Sequence, residues 1–136
     1  MSWEPRPIPD VTPETERYWR AAADGELLVC ECGECGLVYH YPRSLCPDCF
    51  SENTHWRAAS GRGEVYTYST ARTMSGWLED DLPLVVAYVQ LDEGPRLMTN
   101  IDADPDDVSI GIPVEVTFVE TEDDDIAVPV FVPVDE

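Results

Sequence analysis

Cys32-Gly33-Glu34-Cys35 and Cys46-Pro47-Asp48-Cys49 are separated by ten residues in a chain of 136. Each Cys-x2-Cys pair makes a tight turn, a knuckle, that presents two thiolates to one side. Two knuckles supply the four soft ligands that tetrahedral Zn2+ takes, and four protein ligands leave no position open for substrate. The spacing therefore predicts a zinc ribbon, with a structural Zn2+ held by Cys32, Cys35, Cys46 and Cys49. A segment of about 30 residues buries too little apolar surface to fold by itself. Zinc binding, on the order of 10–16 kcal/mol in small finger peptides, supplies the difference. Gly36 after the first pair and Pro47 within the second suit such turns.

Other uses of these cysteines are weaker. Disulfides are disfavoured because an intracellular chain keeps its thiols reduced. Residues 32–39, Cys-Gly-Glu-Cys-Gly-Leu-Val-Tyr, have the look of a rubredoxin knuckle, in which thiolate-bound iron carries one electron. The ten-residue gap is far shorter than rubredoxins use, so an iron electron carrier is the lesser alternative. Cys30, two residues before Cys32 on an expected strand, reads as a small apolar filler. With four thiolates present, His40 and His55 have no part in metal binding.

On the N-terminal side, residues 1–11 are proline-rich and expected to be extended. Thr12-Pro13-Glu14 then signals a helix start: Thr12 as cap, Pro13 at the first helical position, and Glu14 and Glu16 at the positive end of the dipole. Gly25 stops it. Tyr18, Trp19 and Ala22 form its apolar stripe.

On the C-terminal side the pattern changes at Gly61 to alternating β-branched and aromatic residues broken by turn signals. Five strands are expected, at 64–73, 84–92, 96–101, 113–121 and 126–132. Asp92-Glu93-Gly94-Pro95 is a tight hairpin connection, Gly111-Ile112-Pro113 opens the fourth strand, and Pro129 and Pro133 mark the fifth as an edge. Five short strands with little helix between them fit a small closed barrel, the OB-fold. The expected fold is mainly β: an N-terminal segment and helix (1–25), a four-cysteine zinc ribbon (26–58) and a five-stranded OB-fold barrel (59–136).

Charge narrows the function. The chain has 28 acidic residues against eight basic ones, all eight of them arginine, for a net charge of −20. An acidic, lysine-free surface on a foldable sequence suggests a halophilic host, whose salt screens self-repulsion. Nucleic-acid binding draws its affinity from cations on phosphates, so a single-stranded nucleic-acid-binding ribbon and barrel is an alternative that lacks its basic groove. No apolar run approaches the ~18–20 residues of a membrane span, and no basic-then-apolar start is visible, so a cytoplasmic location is expected.

Catalytic motifs are missing: there is no Gly-x-Ser-x-Gly, no phosphate-cradling Gly-x4-Gly-Lys and no His-Glu-x2-His. The run 102–107 superficially suggests a calcium loop, but Pro105 and the absent sixth-position glycine contradict that pattern. The chain is read as a non-enzyme.

The order of modules is itself distinctive: an aromatic helix with Tyr18-Trp19, then Cys-x2-Cys-Gly, Cys-Pro-x-Cys, and a barrel opening Ser60-Gly61-Arg62-Gly63-Glu64-Val65-Tyr66-Thr67-Tyr68. Residues 84–89, 91–97 and 111–114 continue the series to the last strand. It resembles the zinc-ribbon/OB-fold family of acyl-CoA-associated proteins, first catalogued as a domain of unknown function. The resemblance implies a stand-alone partner of thiolase-like enzymes, with CoA or acyl-CoA as a possible ligand. In archaea it implies a scaffold bridging acetoacetyl-CoA thiolase and hydroxymethylglutaryl-CoA synthase at the head of the mevalonate pathway. A haloarchaeal host would favour that complex. Helix, ribbon and barrel face would then form a docking surface and a passage for the thioester, with Tyr18, Trp19, Arg43, Arg62, Arg72 and Trp77 as contacts. Arg57 and Arg96 are further cations near the ribbon and barrel. Arginine suits CoA phosphates.

Overall fold

The structure, a computed structural model, describes residues 3, 7–73, 77, 78, 80 and 82–134. Of the expected extended segment, residues 1, 2 and 4–6, Pro5 among them, lie outside the described residues.

The helix α1 spans Glu16–Ala23, later than the Thr12-Pro13 signal implies. The reason is local. The Thr12 carbonyl accepts from the N–H groups of Thr15 (3.0 Å) and Glu16 (2.9 Å), while the Thr12 N–H donates to Thr15 Oγ1 at 3.0 Å. Residues 13–15 are thereby held as a turn that feeds the helix, and Thr15 occupies the cap position. At the far end the Glu26 N–H donates to Ala21 (2.8 Å) and the Gly25 N–H to Ala22 (3.0 Å), a Schellman closure at the expected glycine. Tyr18, Trp19 and Ala22 are buried as the stripe requires.

The ribbon is a three-stranded antiparallel sheet of β1 (Leu28–Cys32), β2 (Val38–Tyr39) and β3 (Thr54–Ala58), in the order β2-β1-β3. The five barrel strands follow: β4 (Arg62–Ala71), β5 (Leu84–Leu91), β6 (Arg96–Ile101), β7 (Pro113–Glu120) and β8 (Ala127–Pro133). They close in the order β4-β5-β6-β8-β7. Gly63 lets β4 pair with both β5 and β7: a Cβ there would stand 2.3 Å from the Gln90 carbonyl oxygen.

The expectation of β8 as an edge is corrected. It lies between β6 and β7, pairing with β7 from Val114↔Pro133 to Glu120↔Ala127 and with β6 at Ile101↔Phe131. The prolines are tolerated because the β6 seam uses few N–H donors from β8. There the Asp102 N–H donates to the Phe131 carbonyl (2.8 Å) and Thr99 Oγ1 to the Pro129 carbonyl (3.1 Å). A strand residue without an N–H loses nothing where its neighbour asks only for a carbonyl.

Helix, ribbon and barrel share one core. Tyr18 and Trp19 from α1 and Leu27 and Val29 from the ribbon pack in one cluster with Val65, Val85, Leu91 and Phe131 of the barrel. Trp3 joins a second, smaller cluster with Val119 and Val130. The acidic run 102–107 holds the 3-10 turn Pro105–Asp107, opened by Asp104, whose Oδ1 accepts from the Asp106 N–H at 3.0 Å. Among the described residues no helix is long and apolar enough to cross a membrane.

The net charge of −20 sets a first expectation. Melting temperature should rise with added KCl, with most of the gain complete by about 1 M, where the Debye length is roughly 3 Å. A salt-independent melting curve would contradict it.

Candidate functional site

The loops at the end of the ribbon sheet bring the four predicted cysteines together. Their sulfur atoms all lie within 4.8 Å of one another, with Cys32 to Cys49 and Cys35 to Cys46 both at 3.6 Å. Tetrahedral zinc with sulfur at about 2.3 Å requires sulfur–sulfur separations of about 3.8 Å, so the cage fits such an ion. Backbone donors prepare it for negative charge. The N–H groups of Glu34 (3.4 Å) and Cys35 (3.5 Å) point at the Cys32 sulfur. The Cys35 N–H, against desolvation and with help from Glu34, lowers the Cys32 thiol to about 6. Cys35 moves the other way: the Leu37 N–H pulls it down, but desolvation and the sulfurs of Cys46, Cys49 and Cys32 push it up to about 12. Four thiolates this close repel one another, and a bound dication reverses that balance. Cys30 lies outside the cage, buried opposite Tyr39 and Trp56.

A second feature sits where α1, the ribbon and the barrel meet. A cleft of about 420 Å3 is lined by Tyr18 and Trp19 from α1, His40 and Tyr41 from the ribbon, and Tyr88, Arg96, Met98 and Asn100 from β5 and β6. Two polar atoms of its lining residues, Trp19 Nε1 and His40 Nε2, are buried without a hydrogen-bond partner among the described residues. Buried donors and acceptors left unpaired are costly and uncommon, and a ligand is one way to pair them. Burial lowers the His40 pKa to about 4. Of the cleft residues, Tyr88 and Met98 are also exposed to solvent, as is Tyr66 elsewhere on the barrel. Tyr66 stands at the register shift between Val65 and Thr67, and the Arg96 guanidinium lies 3.8 Å from its ring centre. A bulge of this kind re-aims a side chain.

His40 gives a pH expectation. Its folded pKa lies below the ordinary value of 6.5, so the unfolded chain binds the proton more readily. The stability it contributes is complete above pH 6.5 and is lost as pH falls towards 4, about 3 kcal/mol at most. Melting curves of the native chain and of His40→Gln should show this as a difference that shrinks below pH 6.5.

The sequence-selected contact residues are dispersed. Tyr18 and Trp19 meet in the cleft. Arg43 lies in a neighbouring groove that shares Tyr41 with it. Arg62 opens β4 and pairs with Glu115 at 3.3 Å, while Arg72 follows the last residue of the same strand. At about 3.3 Å per residue the two stand roughly 30 Å apart. Trp77 packs edge-on against Trp3, with ring centres 6.2 Å apart. Arg57 is bound to Glu31 at 3.1 Å, and the exposed His55 shares the same carboxylate at 3.0 Å. His40, Tyr88 and Met98 were not selected from the sequence. A detectable signal existed for the last two: each is a large apolar residue on the outward phase of an alternating strand.

A closed four-thiol cage on a three-stranded ribbon, followed by a closed five-stranded barrel, defines a zinc-ribbon/OB-fold protein. Residues 19–55 match the family described as the ChsH2 rubredoxin-like zinc ribbon domain, and residues 56–119 its C-terminal OB-fold domain. The chain belongs to this ChsH2-type, or DUF35, family. It is 36% identical over 111 residues to a DUF35 domain-containing scaffold protein of Methanocaldococcus jannaschii, covering 79% of each chain. It is 35% identical to a probable enoyl-CoA hydratase alpha subunit of Thermomonospora curvata, covering 94% of this chain but only 40% of that longer subunit. A benzoylsuccinyl-CoA thiolase subunit, BbsA of Thauera aromatica, is 27% identical over 93% of this chain and 88% of its own. Among solved structures, a chain of the Ltp2-ChsH2(DUF35) aldolase superposes with a TM-score of 0.78 at 34% identity, covering 92% of this chain and 98% of that one. These relatives are named as scaffolds or as subunits of enzymes.

Proposed function

We propose that this chain is a non-catalytic scaffold subunit that holds a thiolase- or aldolase-type enzyme acting on acyl-CoA. One observation carries the reading: the match to the aldolase-associated chain runs through helix, ribbon and barrel alike, over 92% of this chain. The chemistry of the site is consistent with it. Cys32, Cys35, Cys46 and Cys49 would hold Zn2+, which supplies folding energy and no open coordination position. The His55–Glu31 pair is exposed and shared with Arg57 rather than aligned with a nucleophile.

The cleft is the place for the acyl-pantetheine arm. Its walls are aromatic, and Trp19 Nε1 is a buried donor for an amide or thioester carbonyl. His40, kept neutral by burial, offers a second polar atom without adding charge. Arg96 on the rim and Arg43 in the adjoining groove are the cations placed to meet CoA phosphates. Arg62 and Arg72 are too far apart to hold one phosphate group together. With a net charge of −20, tight CoA binding is expected only in the complex.

A bridge between acetoacetyl-CoA thiolase and hydroxymethylglutaryl-CoA synthase, in the cytoplasm of a halophilic host, is the finer form of this proposal. It rests on the sequence resemblance and on the lysine-free acidic composition. Capture of the tagged chain from cells of its source organism, at high salt throughout, tests both levels. Co-elution of a thiolase- or aldolase-type enzyme supports the scaffold, and co-elution of the synthase as well supports the bridge. Recovery of nucleic-acid machinery without such an enzyme would sink the proposal.

A further inference from the structure

The two metal knuckles share one backbone hydrogen-bond pattern, and the residue that follows the second cysteine is glycine in one and phenylalanine in the other. In the first, the Gly36 N–H donates to the Cys32 carbonyl (3.0 Å) and the Cys32 N–H to the Leu37 carbonyl (2.9 Å). In the second, the Phe50 N–H donates to the Cys46 carbonyl (3.0 Å) and the Cys46 N–H to the Ser51 carbonyl (3.0 Å). Both turns place the residue after the second cysteine in the left-handed region, Gly36 at φ 79° and Phe50 at φ 62°. Glycine enters that region freely, whereas a bulky side chain there is a steric outlier. Phe50 does not recover the loss by packing. At 73% exposure it is the most exposed large apolar side chain among the described residues. Folding alone would place glycine at this position, as it does in the first knuckle.

The surroundings of Phe50 are those of a contact surface. It lines a groove of about 600 Å3 together with Leu45, Tyr41 and Pro47, and Leu45 and Tyr41 are also exposed. Contiguous exposed apolar side chains mark interaction sites. The border is mostly acidic: Glu14, whose carboxylate accepts from the Ser44 N–H and hydroxyl, lies in the groove, and Asp48 and Glu52 are exposed beside Phe50 in sequence, with Arg43 the cation among them.

We propose that the second knuckle, with Phe50 as its prong and Leu45 beside it, is the contact by which this chain grips its partner enzyme. The partner surface it fits is an apolar recess bordered by lysines or arginines. A second copy of this chain would bring the same acids to the border and another net −20, so the complementary surface is a basic one. The assignment rests on the scaffold reading and names the part of the chain that performs it.

Phe50→Gly separates docking from folding. Tagged native chain, F50G and a second variant, L45S, are expressed in cells of the source organism. Captured thiolase- or aldolase-type enzyme is then measured per mole of bait, beside melting temperature and zinc content. F50G should bind as much zinc as the native chain and melt no lower, or a few degrees higher, because glycine relieves the left-handed position. Its captured enzyme should fall at least tenfold, with a fall for L45S as well. Undiminished capture by F50G overturns the knuckle contact and leaves the scaffold standing. A drop of more than about five degrees in F50G melting makes Phe50 a folding residue and also overturns it. If the native chain self-associates through Phe50 while enzyme capture is unchanged, the partner assignment is wrong. If the native chain captures no such enzyme, the scaffold reading fails and the contact falls with it.

Discussion

Cys46→Ser is expected to abolish zinc binding and to unfold the ribbon. Cys46 is fully buried, and its sulfur lies 3.6 Å from that of Cys35. A serine hydroxyl is a hard, neutral ligand in a cage built for soft anions. The interaction removed belongs to a binding free energy on the order of 10–16 kcal/mol, comparable with the whole stability of a domain, about 5–15 kcal/mol. The effect would not stop at the ribbon, because Leu27 and Val29 pack in the same core as barrel residues Val85 and Phe131. Circular dichroism and zinc titration should show the native chain with one zinc and a cooperative melt. The variant should retain no zinc and melt broadly, far below. A chelator should do the same to the native chain. A variant that melts within a few degrees of the native chain would mean that the cage is not what holds the ribbon.

The second large effect is expected at Phe131. Its side chain is 0% exposed and stands at the seam that closes the barrel, opposite Ile101 on β6 and Val116 on β7. Truncation to alanine removes a ring from a shared core and leaves a cavity, for a cost of about 3–5 kcal/mol. For a domain of this size that corresponds to a fall in melting temperature on the order of 10–20 °C. β6 and β8 share a single register pair, so the seam has little hydrogen bonding with which to compensate. A fall of less than 5 °C would show that barrel closure does not depend on this ring.

What the sequence made legible was governed by local rules. The cysteine pairs, the Tyr18-Trp19-Ala22 stripe, the Gly25 stop and the Asp92–Pro95 hairpin each depend on residues a few positions apart, and each is found as expected. Strand β3 was not foreseen. Thr54-His55-Trp56-Arg57-Ala58 has no buried residue, and its strand form comes from pairing with β1. Pro129 misled for the same reason: proline signals an edge, and only the closure order shows a seam where its carbonyl is used.

The site divides in the same way. The sulfur cage could be read from spacing, but the cleft could not. His40 lies far from Tyr88 and Arg96 in the chain; the β5–β6 hairpin register sets the latter two side by side, and the packing of ribbon and α1 on the barrel brings His40 to them. Phe50 is the extreme case. In the sequence it is a phenylalanine after a cysteine, and its left-handed backbone and exposure are visible only in the fold.

Sedimentation velocity on the purified zinc-bound chain, alone and mixed with the thiolase- or aldolase-type enzyme encoded in its own organism, would be decisive when combined with an acyl-CoA turnover assay of each sample. The expected result is a co-sedimenting complex, with all turnover arising from the enzyme and none from the chain alone. Turnover by the isolated chain, or two species that sediment independently at every salt concentration, would contradict the scaffold function.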